Sequence, residues 1–210
     1  MPFVVMIAGP NGSGKTTLTN YIRRQGIDLG QYINPDDIAR DLEGSYDVRV
    51  RRAQQVADEK RDECLKRRVN FSFETVMSHD SKVKFFQQCR FSGFDTVLFF
   101  VGTRSPQLNV ARVAQRVASG GHDVPVDRIV DRYARSFALL RPALAIAIRA
   151  AIYDNSDQRG LTLGLTKKTT ARRGPVYSLM PDAPAWIAAA VPEGAVMERR
   201  EARTPRKPRS

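Results

Sequence analysis

The stretch Met6–Thr17, MIAGPNGSGKTT, decides how this chain is read. Five of its twelve residues are Gly, Lys or Pro, a mixture that suits neither a helix interior nor a strand. Within it, Gly9–Thr16 (GPNGSGKT) fits the pattern G-x-x-x-x-G-K-[ST]. The apolar run FVVMIA (Phe3–Ala8) before it reads as a strand buried on both faces. A helix follows from Lys15, with Leu18, Tyr21 and Ile22 on one side. Strand, glycine-rich loop and helix in that order are the context the pattern requires. Gly12 and Gly14 open backbone conformations closed to other residues, so that successive N–H groups converge on one concavity. The helix N-terminus adds partial positive charge there. The expectation is a phosphate cradle for a nucleoside triphosphate, made by Gly9, Pro10, Asn11, Gly12, Ser13, Gly14, Lys15, Thr16 and Thr17. In it Lys15 reaches the β- and γ-phosphates and the Thr16 hydroxyl binds Mg²⁺.

Further along, QYIN (Gln31–Asn34) reads as a short strand, with Pro35 opening a helix. Asp47–Val69 reads as one long charged helix, and NFSFETVM (Asn70–Met77) as a strand. Ser78–Gln88 reads as a helix capped by Ser78 or Asp80, and DTVLFFVG (Asp95–Gly102) as a buried strand. Pro106–Ser119 and Pro125–Ile148 read as helices joined by a loop containing GGHDV, and AIYDN as a short strand. Helices alternating with apolar strands predict an α/β fold: a P-loop NTPase three-layer sandwich with a mostly parallel sheet and helices on both faces. LTLGLTKKT and PVYSLMP add a C-terminal β-hairpin, and APAWIAAAV a short helix. The expected organisation is a core over 1–157, including a helical arginine lid at about 104–135. A hairpin-and-helix segment over 158–196 packs on that core, and 197–210 form a basic, disordered tail.

Composition narrows the function classes. The 210 residues carry a net charge of +12, and residues 167–210 supply +6 of it, so the globular part is only mildly basic. That balance suits a protein that handles small phosphorylated molecules and argues against a nucleic-acid platform. No apolar run approaches the ~18–20 residues that span a bilayer. The N-terminus lacks the basic flank of a secretory leader. Cys64 and Cys89 each fall in a helical pattern and read as plain thiols. A cytoplasmic protein is expected.

The guanine-reading Asn-Lys-x-Asp of a GTPase is absent. So is the strand ending in Asp-Glu of a motor ATPase, since VLFFVGT ends in Gly-Thr. A kinase needs a base, an acceptor site and a cationic lid, and the chain offers candidates for each. Asp36 and Asp37 follow the second strand, at the sheet end where ligands bind in doubly wound folds. There a carboxylate can accept the proton of an attacking hydroxyl, Asp36 being the stronger candidate and Asp37 reading as a helix-terminus acid. Glu74 ends the third strand, where burial demands a cation or hydroxyl partners, and Thr75 beside it can hydrogen-bond a substrate. Arg112 and Arg116 share a helix face, and Arg128, Arg132 and Arg135 recur on the next helix. With Gly120 and Gly121 between them, these two helices suit a closing lid whose arginines stabilise a transferring phosphoryl group. His122 in the joint is a further candidate phosphate contact.

These residues together resemble the zeta toxin family of P-loop kinases, also called the UDP-N-acetylglucosamine kinase family. The resemblance runs from about Phe3 to Asn155. It rests on AGPNGSGKTT, INPDDIAR, FETV and, most specifically, FVGTRSPQLNVARVAQRVASGGHDVP. It implies a bacterial kinase that uses ATP and Mg²⁺ to phosphorylate the amino-sugar 3′-hydroxyl of UDP-N-acetylglucosamine. By the same resemblance Asp36 matches the catalytic base, Glu74 the acidic residue that contacts the sugar nucleotide, and Arg116 the first of two lid arginines. Either His122 or Arg132 stands for the second. Asn34 departs from the Asp that other members carry two residues before the base. The resemblance also implies a small helical antitoxin that blocks the nucleotide site. A different class, a nucleotide-dependent nucleic-acid-binding or switch protein with the basic tail as its arm, is the alternative, and a polynucleotide kinase stands between the two.

Overall fold

The computed structural model describes residues 1–120 and 123–198. The apolar runs form a parallel sheet because each can be buried on two sides. β1 (Phe3–Ala8) pairs in parallel with β3 (Phe71–Thr75) and β4 (Asp95–Gly102). β2 (Gln31–Ile33) extends it beyond β3, and β5 (Arg149–Asp154) beyond β4. β6 (Thr162–Thr170) and β7 (Gly174–Leu179) add an antiparallel hairpin. β8 (Val196–Met197) pairs in parallel with β7, and the eight-stranded order is β2-β3-β1-β4-β5-β6-β7-β8.

The two faces of the sheet are unequal. On one, Val4, Met6, Phe71, Phe73, Leu98, Phe100 and Ile152 pack against four helices. These are α3 (Tyr46–Arg67), α4 (Ser81–Phe91), α7 (Leu140–Ile146) and α8 (Ala185–Ala188), contributing residues such as Ala57, Phe86, Leu144 and Ile187. On the other, Val5, Ile7, Phe99, Val101 and Tyr153 meet Leu18 and Ile22 of α1 (Lys15–Arg24). α2 (Pro35–Arg40) follows β2 directly. α5 (Pro106–Ala118) and α6 (Val126–Ala138) form a helical pair with its own small core of Val113, Val124 and Ile129.

Three expectations need correction. The helix expected over Pro125–Ile148 breaks at Leu139 into α6 and α7. Pro142 explains the break: it has no N–H, and its ring would strike the Ala138 carbonyl in a continuous helix. α4 starts at Ser81, and the Asp80 side chain does not cap it. Asp80 Oδ2 instead takes an ion pair from Lys84 at 2.6 Å. Met197, assigned to the tail, pairs with Tyr177 as part of β8 (Val196–Met197), and the Glu198 N–H donates to the Tyr177 carbonyl at 2.8 Å. Residues 199–210 of that tail lie outside the described residues. Cys64 and Cys89 are free and buried. Among the described residues, no helix is long and apolar enough to cross a membrane.

Candidate active site

The C-terminal ends of β1, β2 and β3 open into a cleft of about 640 Å³. The loop between β1 and α1 forms one wall. Gly12 (φ 74°) and Gly14 (φ 100°) hold the left-handed backbone that the sequence demanded. A Cβ at Gly12 would stand 2.6 Å from the Asn109 carbonyl oxygen, and one at Gly14 would stand 2.3 Å from Asn155 Nδ2. No other residue fits either position, on conformation or on space. The same two asparagines brace the loop. Asn155, just after β5, donates from Nδ2 to the Ser13 carbonyl at 2.8 Å. Asn109, in the first turns of α5, donates to the Asn11 carbonyl and accepts from the Thr103 hydroxyl. Tyr133 of α6 then donates to the Thr103 carbonyl at 2.6 Å, so both α5 and α6 are tied to the loop.

Lys15 is half-buried and donates from Nζ to the Gly9 carbonyl at 2.9 Å and the Pro10 carbonyl at 3.1 Å. Its pKa lies below the ordinary lysine value. Burial is the main cause, the carboxylates of Glu74 and Asp36 oppose it, and the charges of Arg116 and Arg132 reinforce it. Two carboxylates and two arginines from four separate elements therefore act on one ammonium group. Asn11 Oδ1 and Arg112 Nη1 are buried on the cleft wall without a hydrogen-bond partner, an arrangement that suits a polar ligand.

Opposite the loop, Asp36 is exposed to the cleft from the first turn of α2. Asn34 caps that helix: its Oδ1 accepts from the Asp36 N–H at 2.9 Å. Its Nδ2 donates to the Tyr32 hydroxyl at 3.2 Å. Tyr32 donates in turn to Glu74 Oε1 at 2.6 Å, and the Thr19 hydroxyl donates to the same oxygen at 2.5 Å. Glu74 is only 5% exposed, and hydroxyls rather than a cation satisfy this oxygen. Burial, and then the Glu74 charge, hold the Tyr32 pKa well above that of a free phenol, so Tyr32 stays a donor. An Asp at position 34 could cap the helix but could not donate to Tyr32. The amide thus links the base candidate to the buried glutamate. Past β3 the chain turns sharply at Met77, a buried non-glycine residue with φ 53°. The strained turn brings Val76, Met77, Ser78 and His79 onto the cleft wall.

Of the residues singled out from sequence, the cleft gathers Asn11, Gly12, Gly14, Lys15, Thr16, Asp36, Glu74, Thr75, Arg112, Arg116 and Arg132. Gly9, Pro10, Ser13 and Thr17 do not line it. Gly9 and Pro10 hold Lys15 through their carbonyls, and Ser13 is fully buried beneath the loop. His122 lies outside the described residues. Asp37 pairs with Arg40 and Arg135 with Asp131, both on the surface, and Arg128 is exposed outside the cleft. Sequence reasoning passed over Thr19, Tyr32, Asn109 and Asn155. It also passed over Arg61 and Lys82, which line the α3–α4 side of the cleft. A polar residue at the end of the last parallel strand was the available signal for Asn155. Nothing in the sequence distinguished Arg61 among the many charges of α3.

The family model for zeta toxin matches residues 1–159. The chain belongs to the zeta toxin family. With that family it is a P-loop kinase, a phosphotransferase built on the mostly parallel sheet described above. An uncharacterized protein of Haemophilus influenzae is 28% identical over 142 residues, covering 61% of this chain and 91% of that protein. Among solved structures, the PezAT chromosomal toxin–antitoxin system of Streptococcus pneumoniae superposes with a TM-score of 0.58 at 17% identity, covering 77% of this chain and 70% of the other. The AvrRxo1-ORF1:AvrRxo1-ORF2 complex with sulphate ions gives 0.60 at 12% identity, covering 79% of this chain and 58% of that one. At such identities these structures speak for the fold alone.

Proposed function

We propose that this zeta toxin family protein transfers the γ-phosphoryl group of ATP to a hydroxyl of a small nucleotide-like acceptor, UDP-N-acetylglucosamine above all. The observation that carries the reading is the meeting of Lys15, Asp36, Glu74, Arg116 and Arg132 across one cleft. In the proposed reaction the acceptor oxygen forms a bond to the γ-phosphorus and the bond from that phosphorus to the ADP oxygen breaks. Asp36 takes the acceptor proton. Lys15 holds the β- and γ-phosphates, while Arg116 and Arg132 stabilise the charge spread over the transferring group. The Thr16 hydroxyl, exposed beside the loop, suits Mg²⁺, which when bound neutralises phosphate charge. Glu74 and Thr75, with His122 from the lid joint, contact the acceptor. Residues 1–157 form the catalytic unit, and the hairpin segment to 196 buttresses it.

The family supports a toxin–antitoxin setting, with a small helical antitoxin that covers the nucleotide site in the cytoplasm of a bacterium. PezAT, whose fold this chain shares, is a chromosomal toxin–antitoxin system, and the AvrRxo1-ORF1:-ORF2 complex of the same fold was solved with ATP. The test is to incubate the protein with ATP, Mg²⁺ and UDP-N-acetylglucosamine and to follow the sugar nucleotide by mass spectrometry. A gain of one phosphoryl group is expected. No gain on this acceptor, nor on a panel of nucleotides, nucleotide sugars and polynucleotide ends, would overturn the proposal.

A further inference from the structure

The α3–α4 side of the cleft carries a cationic pair that the phosphoryl-transfer chemistry leaves unused. Arg61 of α3 is 2% exposed, yet it lines the cleft. Its guanidinium lies over the rings of Phe73 and Phe85, 5.2 and 5.8 Å from their centroids. Lys82 of α4 lines the same wall, and its Nζ donates to Asp58 Oδ1 at 2.7 Å. Arg61 pairs with that same oxygen. Two cations thus share one carboxylate whose side chain is 53% exposed, where water weakens its hold.

The pair is costly to the fold. Burial lowers the Arg61 pKa to about 10, with Asp62 and Cys89 opposing. Burial, and then the neighbouring Arg61 charge, lower Lys82 to about 8, with Asp62 opposing. Apolar side chains would pack against Phe73 and Phe85 without that desolvation, so stability does not account for two cations here. The amide of Gln54 on the same wall adds a neutral hydrogen-bonding group. An anion entering the cleft would relieve both shifts at once.

We propose that Arg61 and Lys82 form a second anion subsite, separate from the phosphate loop, that grips a phosphate or diphosphate already present on the acceptor. The kinase thereby selects phosphorylated acceptors over free sugars. The inference rests on the kinase reading above and assigns the specificity of that cleft to two further residues.

The test separates the two readings. The donor site is first saturated with Mg²⁺ and the non-hydrolysable analogue AMP-PNP. UDP, N-acetylglucosamine 1-phosphate and N-acetylglucosamine are then titrated by calorimetry into wild type, Lys82→Gln, Lys82→Arg and Arg61→Gln. Both phosphate-bearing probes should bind wild type more tightly than the free sugar. Lys82→Gln should weaken them about tenfold or more, as loss of a charge-assisted contact does, and Lys82→Arg should restore most of that. Thermal melting checks folding, and Lys82→Gln carries the test if Arg61→Gln does not fold. The subsite is refuted if AMP-PNP binds but neither phosphate-bearing probe does, or if Lys82→Gln leaves their affinities within twofold. Failure of AMP-PNP itself to bind would overturn both readings.

Discussion

The two halves of the cleft are built on opposite plans. The donor half is one contiguous loop whose shape is set by backbone, with Gly12 and Gly14 wedged against Asn109 and Asn155. The half proposed to take the acceptor is assembled from side chains of α2, α3, β3 and α4, which meet only after folding. A backbone cradle tolerates no added atom, whereas a side-chain wall can change one residue at a time. Substitutions in the first half should therefore act all-or-none, and those in the second should be graded.

The largest effect tests whether the acceptor half carries chemistry. Asp36→Asn keeps size and cap geometry but removes the proposed base, and should lower transfer by ~10²–10⁴ in kcat with little change in ATP affinity. Single-turnover kinetics with calorimetric ATP binding decide it. Unchanged transfer would remove Asp36 from the reaction.

Next comes Gly12→Ala, which adds one methyl to the donor half. It faces both a left-handed backbone and a carbonyl oxygen at 2.6 Å, so nucleotide affinity should fall by more than about a hundredfold while the fold survives. Near-normal ATP binding would mean that the loop is softer than its packing implies.

Tyr32→Phe should be intermediate. It removes the hydroxyl that links Asn34 to Glu74, leaving one buried acceptor short of a donor. A loss of about tenfold in kcat, with ATP affinity intact, is expected. A matching loss in ATP affinity would show that the two halves are not separable.

The smallest effect is a pH dependence. Lys82 titrates near 8 in the free protein, and a bound anion raises that value. Affinity for UDP should be full just below pH 8, fall as pH rises from 8 towards the bound-state pKa, and level off beyond it. Lys82→Gln should flatten the profile.

The difference in plan also explains what the sequence made legible. The donor half was readable because its determinants are adjacent: eight residues after an apolar strand specify the loop. Asp36 and Glu74 were reachable by a topological rule, since both stand near the C-terminal ends of parallel strands. Arg61 was not, because α3 carries many exposed cations and only tertiary contact with Phe73 and Phe85 sets this one apart. The break at Leu139 was missed for a related reason. Apolar periodicity continues through it, and Pro142 disrupts the helix four residues after the carbonyl it strikes. Glu74 was recognised as needing partners, but Thr19 and Tyr32 come from elements far away in the chain, beyond the reach of spacing arguments.

Asn109 has a mechanical consequence. It pins α5 to the nucleotide loop, and Arg116 lies seven residues further along the same helix. At 1.5 Å per residue that is an arm of roughly 10 Å. A swing of about 10° around the pin would carry the Arg116 backbone roughly 2 Å, enough to make or break a contact with a phosphate oxygen. The helix is a lever whose fulcrum rests on the nucleotide loop, so a tilt at that pin would be largest at the arginine proposed to meet the phosphate.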